Sequence, residues 1–153
     1  MDEDRVSFEA LYDNPYFVAA GVKSRWASRR HIELAELVDE LWVFPPAGNR
    51  LELVVQDIFG ANGLARPRAS VIAYSLEMTI NLLGTGHYLA IQPESVFTFP
   101  RKHPFIKKLP IALPIVSGPI GILTLKNRVL SLAAQLVIAC AREIAKPPAK
   151  ANR

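Results

Sequence analysis

Between residues 41 and 84 the chain twice runs a β-prone segment into a residue suited to cap a helix, and that rhythm leaves few architectures open. Residues 41–44 (Leu-Trp-Val-Phe) favour a strand and stop at Pro45-Pro46. Asn49 follows as a helix N-cap, with Glu52 three residues on as in a capping box. Leu51, Val54, Val55 and Ile58 then recur at helical spacing to about Phe59, and Gly60 with the pair Asn62-Gly63 ends the helix. Residues 70–74 (Ser-Val-Ile-Ala-Tyr) repeat the design. Ser75 caps a helix with Glu77 in its first turn, Leu76, Ile80 and Leu83 on one face, and Gly84 and Gly86 at its end. Strands and helices alternating over short connections predict an α/β fold with a largely parallel sheet.

The rest of the chain fits that grammar. Residues 16–21 (Tyr-Phe-Val-Ala-Ala-Gly) read as a short buried strand, residues 31–37 as a short helix or turn, and residues 88–91 as a strand closed by Pro93. Residues 94–98 fit a single helical turn, and residues 106–113 hold a short apolar stretch around Pro110. Residues 120–125 (Ile-Gly-Ile-Leu-Thr-Leu) predict a strand. Ser131 caps a last helix through Ala145, with Leu132, Leu136, Cys140 and Ile144 on one stripe and Pro147 beyond it. Trp26 and Trp42 read as packing residues of the core or of a subdomain edge.

No catalytic set emerges. His31, His87 and His103 are separated and lack metal-ligand spacing; His87 reads as a turn or core residue and His103 as exposed. Asp39 and Glu40 are adjacent and point apart in most backbone conformations. Ser75 and Ser95 lack the Gly-x-Ser-x-Gly frame, and Gly84-Thr85-Gly86 is too short for a nucleotide fingerprint. Cys140 is the only cysteine, which excludes an internal disulfide and a cysteine-built zinc site; on its apolar stripe it reads as a packed thiol. These features predict a protein that is not an enzyme and carries no metal or cofactor. With 153 residues, half of them hydrophobic, the chain suits one globular domain. Its net charge of +4 gathers partly in residues 101–108 and partly in residues 146–153, too little and too local for a nucleic-acid footprint. No secretory signal is visible in residues 1–5 and no apolar run reaches membrane-spanning length, so a cytoplasmic protein is expected.

One constellation points to ligand binding. Each strand-to-helix junction presents unpaired backbone N–H groups and the positive end of a helix dipole. In α/β sheets ligands collect beyond the carboxyl ends of the strands, so if both strands share a sheet the two helix ends face one cleft suited to a carboxylate or similar anion. Read from the residues alone, Asn49 and Ser75 are equally explained as caps.

The order of motifs resembles the effector-binding (substrate-binding) domain of LysR-type transcriptional regulators. Residues 11–21 (Leu-Tyr-Asp-Asn-Pro-Tyr-Phe-Val-Ala-Ala-Gly) resemble the strand that enters the second subdomain, and residues 26–37 its loop and short helix. Residues 41–46 resemble the following strand, residues 59–68 (Phe-Gly-Ala-Asn-Gly-Leu-Ala-Arg-Pro-Arg) the linker, and residues 82–93 the segment around Gly-x-Gly. Residues 121–145 resemble the return into the first subdomain. The resemblance implies a type-II periplasmic-binding-protein-like fold in which two α/β subdomains close on an effector. It implies a partial domain over residues 8–145, with the second subdomain at 11–116, the return at 118–145, and flexible termini at 1–7 and 146–153. The ligand side would include Pro46, Ala47, Gly48 and Asn49 at one helix and Ser75 and Leu76 at the next, with Gly118 and Pro119 near the returning strand.

The winged helix-turn-helix of the family and the first half of the first subdomain have no counterpart here, so the chain is expected to be N-terminally truncated, to bind effector weakly in a half-cleft, and not to bind DNA specifically by itself. The returning strand and last helix would lack their natural sheet. They must pack differently, pair with another chain, or leave apolar surface exposed. The expected partners are a small, carboxylate-like effector and either further copies of the chain or related regulator subunits. A solute-binding fragment of a transport system, or a non-functional remnant of a regulator gene, is the alternative.

Overall fold

The computed structural model describes residues 5–98, 103–113 and 117–145. The basic residues Arg101 and Lys102, the tail at 146–153 and the stop at Pro147 lie outside them. Contacts divide the chain into two compact units, residues 15–117 and residues 1–14 with 118–153.

The larger unit is built on a sheet of strand order β3-β2-β4-β1-β5, formed by β1 (Val6–Gly21), β2 (Leu41–Phe44), β3 (Ala69–Ile72), β4 (Tyr88–Pro93) and β5 (Ile106–Lys108). β2 pairs parallel with β3 and with β4, whereas β1 pairs antiparallel with β4 and β5. The sheet is therefore mixed, which corrects the largely parallel sheet read from the alternation. The strands joined through helices are the parallel ones, because each crossover helix returns the chain to the same end of the sheet. β1 precedes the first crossover and is free of that constraint.

Helices α1 (Arg50–Ala61) and α2 (Leu76–Gly84) join β2 to β3 and β3 to β4. Successive strands thus leave β2 on opposite sides, and β2 is the point where the strand order reverses. One core cluster holds Trp42, Phe44, Val55, Ile58 and Phe59; the other holds Val43, Ala73, Ile80, Leu83 and Ala90. Trp42 stacks on Phe44 at 5.5 Å, meets Phe59 edge-on at 5.5 Å, and donates its indole N–H to the Leu37 carbonyl at 2.8 Å. Leu37 ends a 3-10 turn, Leu34–Leu37, and α3 (Ser95–Thr98) is a single turn after β4. Both tryptophans are buried.

Local details differ from the sequence reading. The Glu52 carboxylate accepts from the Gly48 N–H at 2.8 Å rather than from Asn49, whose N–H already donates to the Pro46 carbonyl at 3.3 Å. Gly60 and Gly84 lie inside their helices; the left-handed residues are Gly63 (φ 66°) and Gly86 (φ 86°) just beyond. α2 buries Thr79, Ile80 and Leu83, while Leu76 at the first turn is exposed. His87 is exposed, and His103 is half-buried against the Phe105 ring at 5.9 Å.

In the smaller unit β6 (Ser117–Leu125) pairs with β1, which begins at Val6, ahead of both the strand read at 16–21 and the one that the resemblance starts at residue 11. The Lys126 N–H donates to the Arg5 carbonyl at 2.9 Å. Ser131 caps α4 (Leu132–Ala145) by accepting from the Ala134 N–H at 3.2 Å. The expected packed stripe does not form: α4 buries no residue, and Leu132, Leu136, Ile144 and Cys140 are exposed. The stripe is amphipathic, but the described residues of this unit supply no sheet broad enough to cover it. Among the described residues no helix is long and apolar enough to cross a membrane, and no group of His, Cys, Asp or Glu is placed to hold a metal ion.

Candidate functional site

Beyond the carboxyl ends of β2, β3 and β4 the larger unit opens a cavity of about 190 Å³. Its walls come from the strand ends and the chain leaving them: Val43 and Phe44 at the end of β2 with Pro45 and Pro46 after it, Ala73 and Tyr74 after β3, and Gln92 near the end of β4. The Ala73 N–H donates to the Phe44 carbonyl at 2.9 Å and ties two of these ends together. Asn49, Ser75 and Leu76 complete the rim, with Leu51 and Thr79 behind them.

Both helix starts are built by their caps. Asn49 is extended (φ −79°, ψ 143°) and its Oδ1 accepts from the Leu51 N–H at 2.9 Å. Ser75 is extended (φ −139°, ψ 151°) and its Oγ accepts from the Met78 N–H at 3.1 Å. The Thr79 N–H and hydroxyl both donate to the Ser75 carbonyl, each at 3.2 Å. The N–H groups of Arg50, Leu76 and Glu77 are left outside the helical ladder, as first-turn donors are. Each first turn also carries a carboxylate, Glu52 in α1 and Glu77 in α2. Glu52 is offset by Arg66 at 3.1 Å, whose guanidinium lies 5.0 Å from the centroid of the Phe44 ring.

Of the residues expected at a ligand site, Pro46, Asn49, Ser75 and Leu76 share this cavity. Ala47 and Gly48 are exposed in the loop before α1 and do not line it; Gly48 has φ 81°, which lets the chain turn into the cap. Gly118 and Pro119 lie in β6 of the other unit, Gly118 half-buried and Pro119 exposed. The sequence reading missed Gln92 and Thr79. Gln92 is only 6% exposed, and what is open of it lines the cavity. Its signal was present: a polar residue closing the apolar run 88–91 just where a parallel strand delivers its carboxyl end.

Comparison with known proteins fits this architecture. Residues 2–146 match the family described as LysR substrate binding domain. The HTH-type transcriptional regulator GalR of Pseudomonas putida is 27% identical over 114 residues, which cover 74% of this chain and 29% of that regulator. The chain thus spans less than a third of that relative. Among solved structures, the CcmR regulatory domain of Synechocystis PCC6803, in complex with 2-PG, superposes with a TM-score of 0.79 at 19% identity over 97% of this chain and 71% of that one. The effector binding domain of QuiR, in complex with shikimate, gives 0.72 at 20% identity over 95% and 68%. HinK, a LysR family transcriptional regulator from Pseudomonas aeruginosa, gives 0.72 at 20% identity over 93% and 50%. At these identities the structures show a shared fold.

Proposed function

The chain belongs to the LysR substrate-binding domain family, and from that we propose that it senses a small anionic effector at the cavity between the starts of α1 and α2. One observation carries the reading: two capped helix starts meet at a single cavity beyond the carboxyl ends of parallel strands. Backbone N–H groups of the first turns and the positive ends of both dipoles then favour a carboxylate or phosphate without a dedicated arginine. Asn49, Ser75, Leu76 and Pro46 form the near contacts. Ala47 and Gly48 shape the loop before α1. The 2-PG and shikimate complexes of structural neighbours support a small-molecule ligand for this chain too.

The larger unit corresponds in this reading to the second subdomain and the smaller to the return into the first. Effector binding favours one of the states open to the chain, and that shift in population is the signal. The chain acts as a sensing module of a cytoplasmic regulator, not as an enzyme and not as a DNA-binding element, and it associates with further copies of itself.

The test is calorimetry and thermal unfolding with a panel of small acids, on the wild type and on Ser75→Asp. Aspartate caps a helix as well as serine does, so the fold persists while a fixed negative charge occupies the anion's place. A binding acid at about 100-fold excess over its Kd stabilises the wild type by about 2.7 kcal/mol and the variant by almost nothing. A folded wild type stabilised by no anion, or a variant that binds as well as the wild type, would refute the assignment.

A further inference from the structure

The cavity is polar at two depths, and only the outer one is explained by the helix starts. Asn49 and Ser75 are exposed at the mouth, and both cap a helix. Gln92 stands deeper, the last residue but one of strand β4 and opposite Phe17, with 6% of its surface exposed. Thr79 is the other buried polar side chain of this cavity, and its hydroxyl is satisfied by the Ser75 carbonyl at 3.2 Å. Gln92 lines the cavity. The amide is not sealed in: the one fully enclosed side-chain polar atom without a partner among the described residues is the Trp26 indole nitrogen, so the Gln92 amide opens into the cavity. The cavity is where that amide can find a partner.

Resting on the proposed anion site, we infer that Gln92 is a specificity-determining residue, pairing with a neutral hydrogen-bonding group, a hydroxyl above all, carried by the effector away from its anionic end. The amide offers two N–H donors and a carbonyl acceptor, so it matches a group that both gives and accepts a hydrogen bond. Val43, Ala73 and Leu76 give the space between mouth and floor apolar walls. A cavity of about 190 Å³ has room for a small hydroxy acid. A site built to pair a hydroxyl rejects the analogue that lacks one, because the amide is then left unpaired in the complex.

Isothermal titration of the full chain with matched acids tests this: butyrate against 3- and 4-hydroxybutyrate, and benzoate against 3- and 4-hydroxybenzoate, each on the wild type and on Gln92→Met. At least one hydroxylated acid is expected to bind the wild type about tenfold or more tightly than its parent. Gln92→Met is expected to erase that preference and leave the parent acid within about twofold. Parent and hydroxylated acids binding the wild type equally, or a preference that survives Gln92→Met, overturns the role of Gln92 and leaves the anion site standing. No binding by any acid overturns the anion site and the inference with it. Melting of the ligand-free proteins is the second measurement. Gln92→Met is expected to melt at or above the wild-type temperature, and a clear fall would mean that the amide is already paired within the fold, which also overturns the assignment.

Discussion

Asn49 and Ser75 each spend their side-chain oxygen on a helix, and that fixes what a substitution there removes. Asn49→Ala frees the Leu51 N–H and Ser75→Ala the Met78 N–H. Each is expected to cost about 0.5–2 kcal/mol of unfolding free energy in chemical denaturation. A loss of anion affinity in the alanine variants larger than the denaturation effect predicts would separate ligand contact from capping. Gly21 gives a sharper case. A Cβ there would stand 2.1 Å from the Leu83 carbonyl oxygen, a backbone atom at the end of α2. Gly21→Ala is expected to lose about 1–3 kcal/mol, read from the same denaturation curves, because the helix end or the strand end must move. The caps were legible in the sequence because a cap depends on its own residue and the next few. The place of Gln92 in the cavity wall was not, because lining a cavity is a property of everything around the residue.

At the level of elements, what the sequence displayed was existence and order, and what it hid was partnership. Residues 41–44 and the helices after Asn49 and Ser75 could be read from composition and punctuation. Strand β1 was cut short at its polar first half, where Ser7, Glu9 and Asp13 blur any alternation, although pairing with β6 holds it. Its antiparallel place between β4 and β5 follows from chain topology, which local periodicity cannot report. The Leu76 face of α2 was misjudged for a related reason: a helix start at a cavity leaves its first apolar residue uncovered. α4 is tied to β1 by an ion pair in which Arg142 donates to both Glu9 carboxylate oxygens at 2.7 Å. The hydrogen bond from Arg142, aided by the guanidinium charge, holds the Glu9 carboxyl below the ordinary glutamate range. A carboxyl lowered in the folded state contributes stability above its unfolded pKa and loses it as pH falls through the lower folded value. The pair therefore weakens on the acid side of the glutamate range, and salt weakens it further because both side chains are exposed to solvent. NMR titration of Arg142→Gln is expected to show the Glu9 midpoint raised toward the ordinary value; an unchanged midpoint would show that the contact does not persist in solution.

At the scale of the whole molecule, the exposed stripe of α4 is the feature this chain has most reason to cover. Leu132 is 74% exposed and Val137 69%, with Leu136 and Ile144 also open, and Leu123 and Leu125 of β6 exposed in the same unit. Burying each of the four helix residues in a contact with a second copy is worth about 1.5–3 kcal/mol, roughly 6–12 kcal/mol together. Association costs about 4–15 kcal/mol in lost freedom. The two ranges overlap, so a contact made by this face alone is weak and depends on concentration rather than being permanent. Sedimentation velocity over about a hundredfold range of protein concentration is expected to show the mean mass rising for the wild type. Val137→Glu combined with Leu132→Lys is expected to hold the chain monomeric, with a melting temperature within the scatter of ordinary surface substitutions, about 0.5 kcal/mol. The variant keeps the fold because α4 buries neither residue, so the change acts on the contact and not on the core. A wild type that stays monomeric throughout would refute self-association, and a variant that associates as the wild type does would place the contact on another surface.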